Sequence, residues 1–187
     1  MNVDQKEKAE ARYQLLKNRL VVIIEVLESD VTFAEAEWLK DKSSPFWRRT
    51  IIRCCCAWVE GTTSVLKKFA PEVAEYGGVK LNKKDLEVVN ELRTDKKSGL
   101  LKTAFLPPDK NIKKTFKLFT KARRIQKTIK YNDSRFKDLC DTFELRNGLM
   151  HPKEPRDLEV SEKALDAADR GVNWFGEKFK EVFGSKK

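Results

Sequence analysis

The chain holds one histidine, His151, the side chain type that both takes and gives a proton near neutral pH. It lies in Leu145-Arg146-Asn147-Gly148-Leu149-Met150-His151-Pro152, where Arg146 adds a permanent charge on a planar donor fork suited to phosphate. An arginine that holds a phosphate beside a histidine that moves a proton is the minimum equipment for cleaving RNA without a metal. A plainer reading is a helix end, because a cationic side chain there interacts favourably with the last carbonyls. On an ideal helix Asn147 and His151 share a face, whereas Arg146 points about 140° away from His151. Convergence of Arg146 and His151 on one phosphate therefore requires a loosened last turn, which the position before Pro152 favours, or a second protomer.

The elements that carry this motif read as helices. A first helix is expected from about Asp4 to Glu28, with Tyr13, Leu16, Leu20, Ile23, Ile24 and Leu27 as its apolar stripe. Ser43-Ser44-Pro45 starts a second, apolar almost all round through Trp47, Ile51, Cys54, Cys55, Trp58, Val59, Val65, Leu66 and Phe69 and closed by Pro71. Asn82 caps a third over Lys83 to Arg93, and a fourth follows a loop and runs from about Asn111 to Lys130. Asn132-Asp133-Ser134 caps the motif helix, and a last helix spans about Val160 to Phe183. No strand is expected. The fold class is thus all-α, an up-and-down bundle of about five to six helices in a single domain of 187 residues.

Charge is unevenly placed. The net charge is +10, and residues 80–130 hold sixteen Lys and Arg against five Asp and Glu. Lys113, Lys114, Lys117, Lys121, Arg123, Arg124 and Lys127 are spaced so that several share a helix face, while Ile112, Phe116 and Phe119 turn inward. A solvated helix face accounts for part of this pattern. Concentration of the whole excess in one segment points to a polyanion, and RNA is the partner expected. The four cysteines, three of them consecutive at Cys54, Cys55 and Cys56, point in different directions on a helix and read as small buried residues of a reducing compartment. No metal or other cofactor is expected. With no long uncharged apolar stretch and no signal-peptide pattern, a cytoplasmic protein with no membrane partner is expected.

The order of parts resembles the HEPN superfamily, small all-α bundles in which a late helix bears an Arg, a polar residue and, after a short gap, a His. Here these are Arg146, Asn147 and His151. Ala57-Trp58-Val59-Glu60-Gly61-Thr62 is similar to the acidic-centred helix that packs against the motif helix in many members. The resemblance covers about residues 44–183, with the N-terminal helix of about 4–28 packed on that core. It implies a metal-independent endoribonuclease, a toxin or defence protein, acting as a homodimer with its two motifs face to face and in some cases neutralised by an antitoxin. Arg146, Asn147 and His151 would be its catalytic residues, with Glu60 fixing Arg146. Non-catalytic RNA- or nucleotide-binding members exist in the same superfamily, and a helical protein-interaction domain is a third reading of the residues.

Overall fold

The computed structural model describes residues 3–95 and 97–184. Among them six α-helices dominate: α1 (Val3–Lys40), α2 (Pro45–Tyr76), α3 (Lys83–Val89), α4 (Pro108–Ala122), α5 (Ser134–Met150) and α6 (Glu162–Phe183). A single turn of 3-10 helix spans Pro155–Leu158, and two three-residue strands, β1 (Leu92–Thr94) and β2 (Leu101–Thr103), form an antiparallel hairpin. The fold is an all-α helical bundle. Its contacts group into two compact units, Met1–Val22 with Thr62–Thr128 and Ile23–Gly61 with Ile129–Lys187. Both α1 and α2 contribute a segment to each.

Helix α1 does not stop at Glu28. Its buried positions Leu20, Ile24, Val31 and Ala34 keep helical spacing across Ser29 and Asp30, with neither Gly nor Pro to interrupt them. That register turns Ile23 outward, 41% exposed, contrary to its expected place in the stripe. Helix α2 likewise runs through Pro71 to Tyr76. A Pro there removes one backbone bond, but burial of Ala70, Val73 and Ala74 on either side holds the turn. The stop comes instead at Gly77 and Gly78, the latter at φ +63°, where Gly77 N–H bonds to Val73 O and Val79 N–H to Ala74 O.

The first unit holds the second half of α2, then α3, the hairpin and α4. Asn82 caps α3 in a reciprocal box with Asp85, as the sequence implies. The helix ends at Val89 rather than Arg93, and Leu92–Thr94 become β1. Asp95 shapes the hairpin turn by accepting from Lys97 N–H, Ser98 N–H and the Lys102 ammonium, with Gly99 in the left-handed region at φ +68°. Lys67 of α2 is almost wholly buried and pairs at 2.7 Å with Glu91, which enters the hairpin at φ +54°. Helix α4 ends at Ala122, eight residues short of expectation. Arg124 turns into the left-handed region at φ +56° and its guanidinium donates to Gly78 O at 3.0 Å.

The second unit holds the motif. Its core includes Ile51, Ile52, Cys55, Cys56, Trp58 and Val59 of α2, Phe136, Leu139 and Phe143 of α5, and Leu165, Ala168, Trp174 and Phe175 of α6. Trp58 meets Phe175 edge to face at 5.4 Å between ring centres and is buried in this core. Gly61 lets α1 come close to α2, since a Cβ there would lie 2.5 Å from Leu27 Cδ1. Gly171 does the same between α5 and α6. A Cβ at that position would lie 2.6 Å from Leu139 N and 2.7 Å from Leu139 Cα, inside any tolerable contact with backbone.

Candidate functional site

Helix α5 begins where Asp133 accepts from Arg135 N–H at 2.9 Å and ends at His151. The His151 N–H still bonds to Asn147 O at 3.1 Å and Gly148 O at 3.2 Å, but its backbone has left the helix at φ −134°, ψ 58°, as a residue before Pro must. The departure therefore falls on the histidine itself. Beyond it the Asp157 carboxylate gathers Lys153 N–H at 2.8 Å and Glu154 N–H at 3.0 Å, and these two bonds hold its pKa below the usual aspartate value. Three arginines in the first turns of α2 donate to carbonyls around this stretch: Arg53 to Leu149 O, Arg49 to Leu158 O and Arg48 to Val160 O, at 3.3–3.5 Å.

Arg146 lies five residues before His151, near the end of α5, and is part-buried. Its Nη2 donates to Glu60 Oε1 at 2.5 Å, with 22% of the Arg146 and 42% of the Glu60 side chain exposed. The guanidinium carbon sits 5.8 Å from the centre of the Phe143 ring, and the buried Nε has no hydrogen-bond partner. The Cys56 thiol lies beside it and is 3.8 Å from Thr142 O. Burial pushes that thiol up to about 12, while the neighbouring Arg146 pulls it down and Glu60 pushes it up. Cys56 is accordingly a protonated, inert packing residue at pH 7. Cys55 is buried too, and all four cysteines are free thiols.

Asn147 and His151 are both exposed, and among the described residues neither side chain makes a hydrogen bond or ion pair. The structure thus joins Glu60 to Arg146 and leaves His151 unattached at the end of the same helix; it shows no contact between Arg146 and His151. What this arrangement offers chemically is an oriented, permanently charged guanidinium and an imidazole open to solvent. The sequence reading missed Arg48, Arg49 and Arg53. Their signal, three arginines on the opening turns of an otherwise apolar helix, was present but gave no hint of partners about a hundred residues away.

The basic residues divide into two sets. Lys114, Lys117 and Lys121 line a cleft of about 730 Å³ in the first unit, together with Lys110 of α4, Lys84 of α3 and Arg93 of β1. Lys113 instead faces Asp109 at 3.4 Å. Arg123 caps the C-terminus of α4, Arg124 is spent on Gly78 O, and Lys127 follows in the irregular chain, so these three do not extend the helix face as expected. Among the described residues no helix is long and apolar enough to cross a membrane, and no three His, Cys, Asp or Glu side chains cluster as metal ligands would. Comparison with family models, with curated proteins and with solved structures finds no match to this chain.

Proposed function

We propose that the chain is a metal-independent endoribonuclease of HEPN type, built from Arg146, Asn147 and His151 and active as a homodimer. The observation that carries this reading is the Glu60–Arg146 pair at 2.5 Å, which holds a guanidinium in one orientation on the helix that ends in His151. In the reaction the RNA 2′-hydroxyl attacks the adjacent phosphorus and the 5′-oxygen leaves, giving a 2′,3′-cyclic phosphate. One imidazole removes the 2′-hydroxyl proton or protonates the leaving oxygen, and the Arg146 charge offsets the charge that builds on the phosphate oxygens. Asn147 stands one helical turn before His151, placed to orient the imidazole or to bind a phosphate oxygen. A toxin or defence role neutralised by an antitoxin fits such an activity.

One observation favours a non-catalytic RNA- or nucleotide-binding module instead. The Arg146 guanidinium already serves Glu60 and Phe143, and little of it faces solvent. The two readings separate in one experiment, incubation of RNA with the purified chain in EDTA. Cleavage by the wild type that disappears in His151→Ala supports the enzyme; intact RNA despite measurable binding supports the module.

A further inference from the structure

We propose that the cleft between α3, the β1–β2 hairpin and α4 binds the backbone of a single nucleic-acid strand. All of its lining residues belong to the first unit, and none belongs to the motif helix. Only the use of RNA as the probe rests on the function proposed above.

Lys110, Lys114, Lys117 and Lys121 recur along one face of α4 at spacings of four, three and four, and all four line the cleft. At about 1.5 Å rise per residue this row extends roughly 16.5 Å, with steps of about 4.5 to 6 Å between charges. Lys84 of α3 and Arg93 of β1 add to it. Three carboxylates also line the cleft, but each is already engaged. Asp85 takes Lys121 and the Asn82 N–H, Glu87 takes the Thr94 hydroxyl, and Glu91 takes Lys67. By contrast the side chains of Lys84, Arg93, Lys110, Lys114 and Lys117 make no hydrogen bond or ion pair among the described residues. The cleft therefore presents five cations without an ion-pair partner against one carboxylate, Glu87, that no cation neutralises, a net positive trap for a chain of negative groups.

Two features select a nucleic-acid strand over an acidic peptide or a duplex. Phe105 stands between Ala104 and Leu106, which both line the cleft, yet it is itself 95% exposed. The ring is not part of the cleft lining, so a base stacked on it would lie outside the cleft while the phosphates follow the lysines, base on ring and phosphate on ammonium as single-stranded nucleic acid is bound. The four lysines of α4 also form one row, in a concavity sized for a few nucleotides.

The test uses the full chain carrying His151→Ala, so that binding is read without cleavage and its outcome is independent of the catalytic reading. Fluorescence anisotropy with a short labelled single-stranded RNA is followed against salt. Lys114→Gln with Lys117→Gln should weaken binding at least tenfold and reduce the slope of log affinity against log salt by about 1.4, two phosphate contacts at about 0.7 each. Phe105→Ala should weaken it by about fivefold or more, and Lys127→Gln, outside the cleft, should change it less than twofold. Circular dichroism verifies that each variant keeps its helix content. Affinity unchanged in the double variant, an equal loss in Lys127→Gln, or competition by polyglutamate or by duplex RNA as strong as that by the unlabelled strand would each overturn the proposal.

Discussion

Glu60 of α2 and Arg146 of α5, 86 residues apart in sequence, are joined by a charged hydrogen bond of 2.5 Å. The bond ties the motif helix to α2 five residues before His151, beside the packing of Phe136, Leu139 and Phe143. Because the pair is half-buried, screening weakens it less than a surface bridge. A double-mutant cycle with Glu60→Gln and Arg146→Lys should give a coupling of about 1 kcal/mol in urea unfolding. Additive effects of the two changes would mean that the pair does not contribute to stability.

Packing of α5 on α6 depends on the bare backbone of Gly171. Gly171→Ala forces a methyl group to within 2.7 Å of the Leu139 backbone, so the helices must part. A loss of about 1 to 3 kcal/mol in unfolding free energy is expected, as for other overpacked cores. A loss below about 0.5 kcal/mol would show that the two helices slide past each other without cost.

Asp157 ties the segment after His151 through two backbone N–H groups, which lower its folded pKa. A lowered folded value means that the ionised form stabilises the fold. That contribution is complete above the unfolded aspartate pKa of about 3.9 and disappears as pH falls through the lower folded value. Asp157→Asn should therefore be less stable than the wild type at pH 6, with the gap closing as pH drops below about 4. A gap that stays constant down to pH 2 would assign the effect to shape rather than charge.

The absence of an Arg146–His151 contact within the chain makes the composite site testable. If one Arg146 and one His151 from opposite protomers form each site, a mixed dimer of Arg146→Ala and His151→Ala chains keeps one complete pairing. Mixing two inactive variants should then restore part of the cleavage activity. Verified mixed dimers without recovery, or a chain that sediments as a monomer at micromolar concentration, would contradict shared sites.

How much of this was legible in the sequence follows from the range of each signal. Caps act within a few residues, and Asn82 and Asp133 mark the starts of their helices as read. Where local signals met tertiary packing, packing prevailed: α2 passes through Pro71, and α1 continues past Glu28 because Val31 and Ala34 extend its buried stripe. The hairpin escaped notice because strands of three residues give too little alternation to detect, and their pairing depends on a turn built by Asp95. In the site, Glu60 could be named only through the resemblance of Ala57–Thr62 to an acidic-centred helix, since nothing in the local pattern says which residue it meets. The cleft could not. It needs Lys84 and Arg93 brought against α4, a juxtaposition that helical spacing within α4 does not encode.

The central claim is that His151 moves the proton in cleavage of RNA by its own 2′-hydroxyl, and the ends of the products report on it directly. A 5′-labelled RNA is incubated in EDTA with the wild-type chain and with His151→Ala, and the fragments are resolved by their terminal chemistry. The account predicts fragments ending in a 2′,3′-cyclic phosphate from the wild type and, from the variant, at least about a hundredfold less of them, the low end of what a general acid or base contributes. Fragments ending in a 3′-hydroxyl, equal cleavage by both proteins, or no cleavage by the wild type would contradict it.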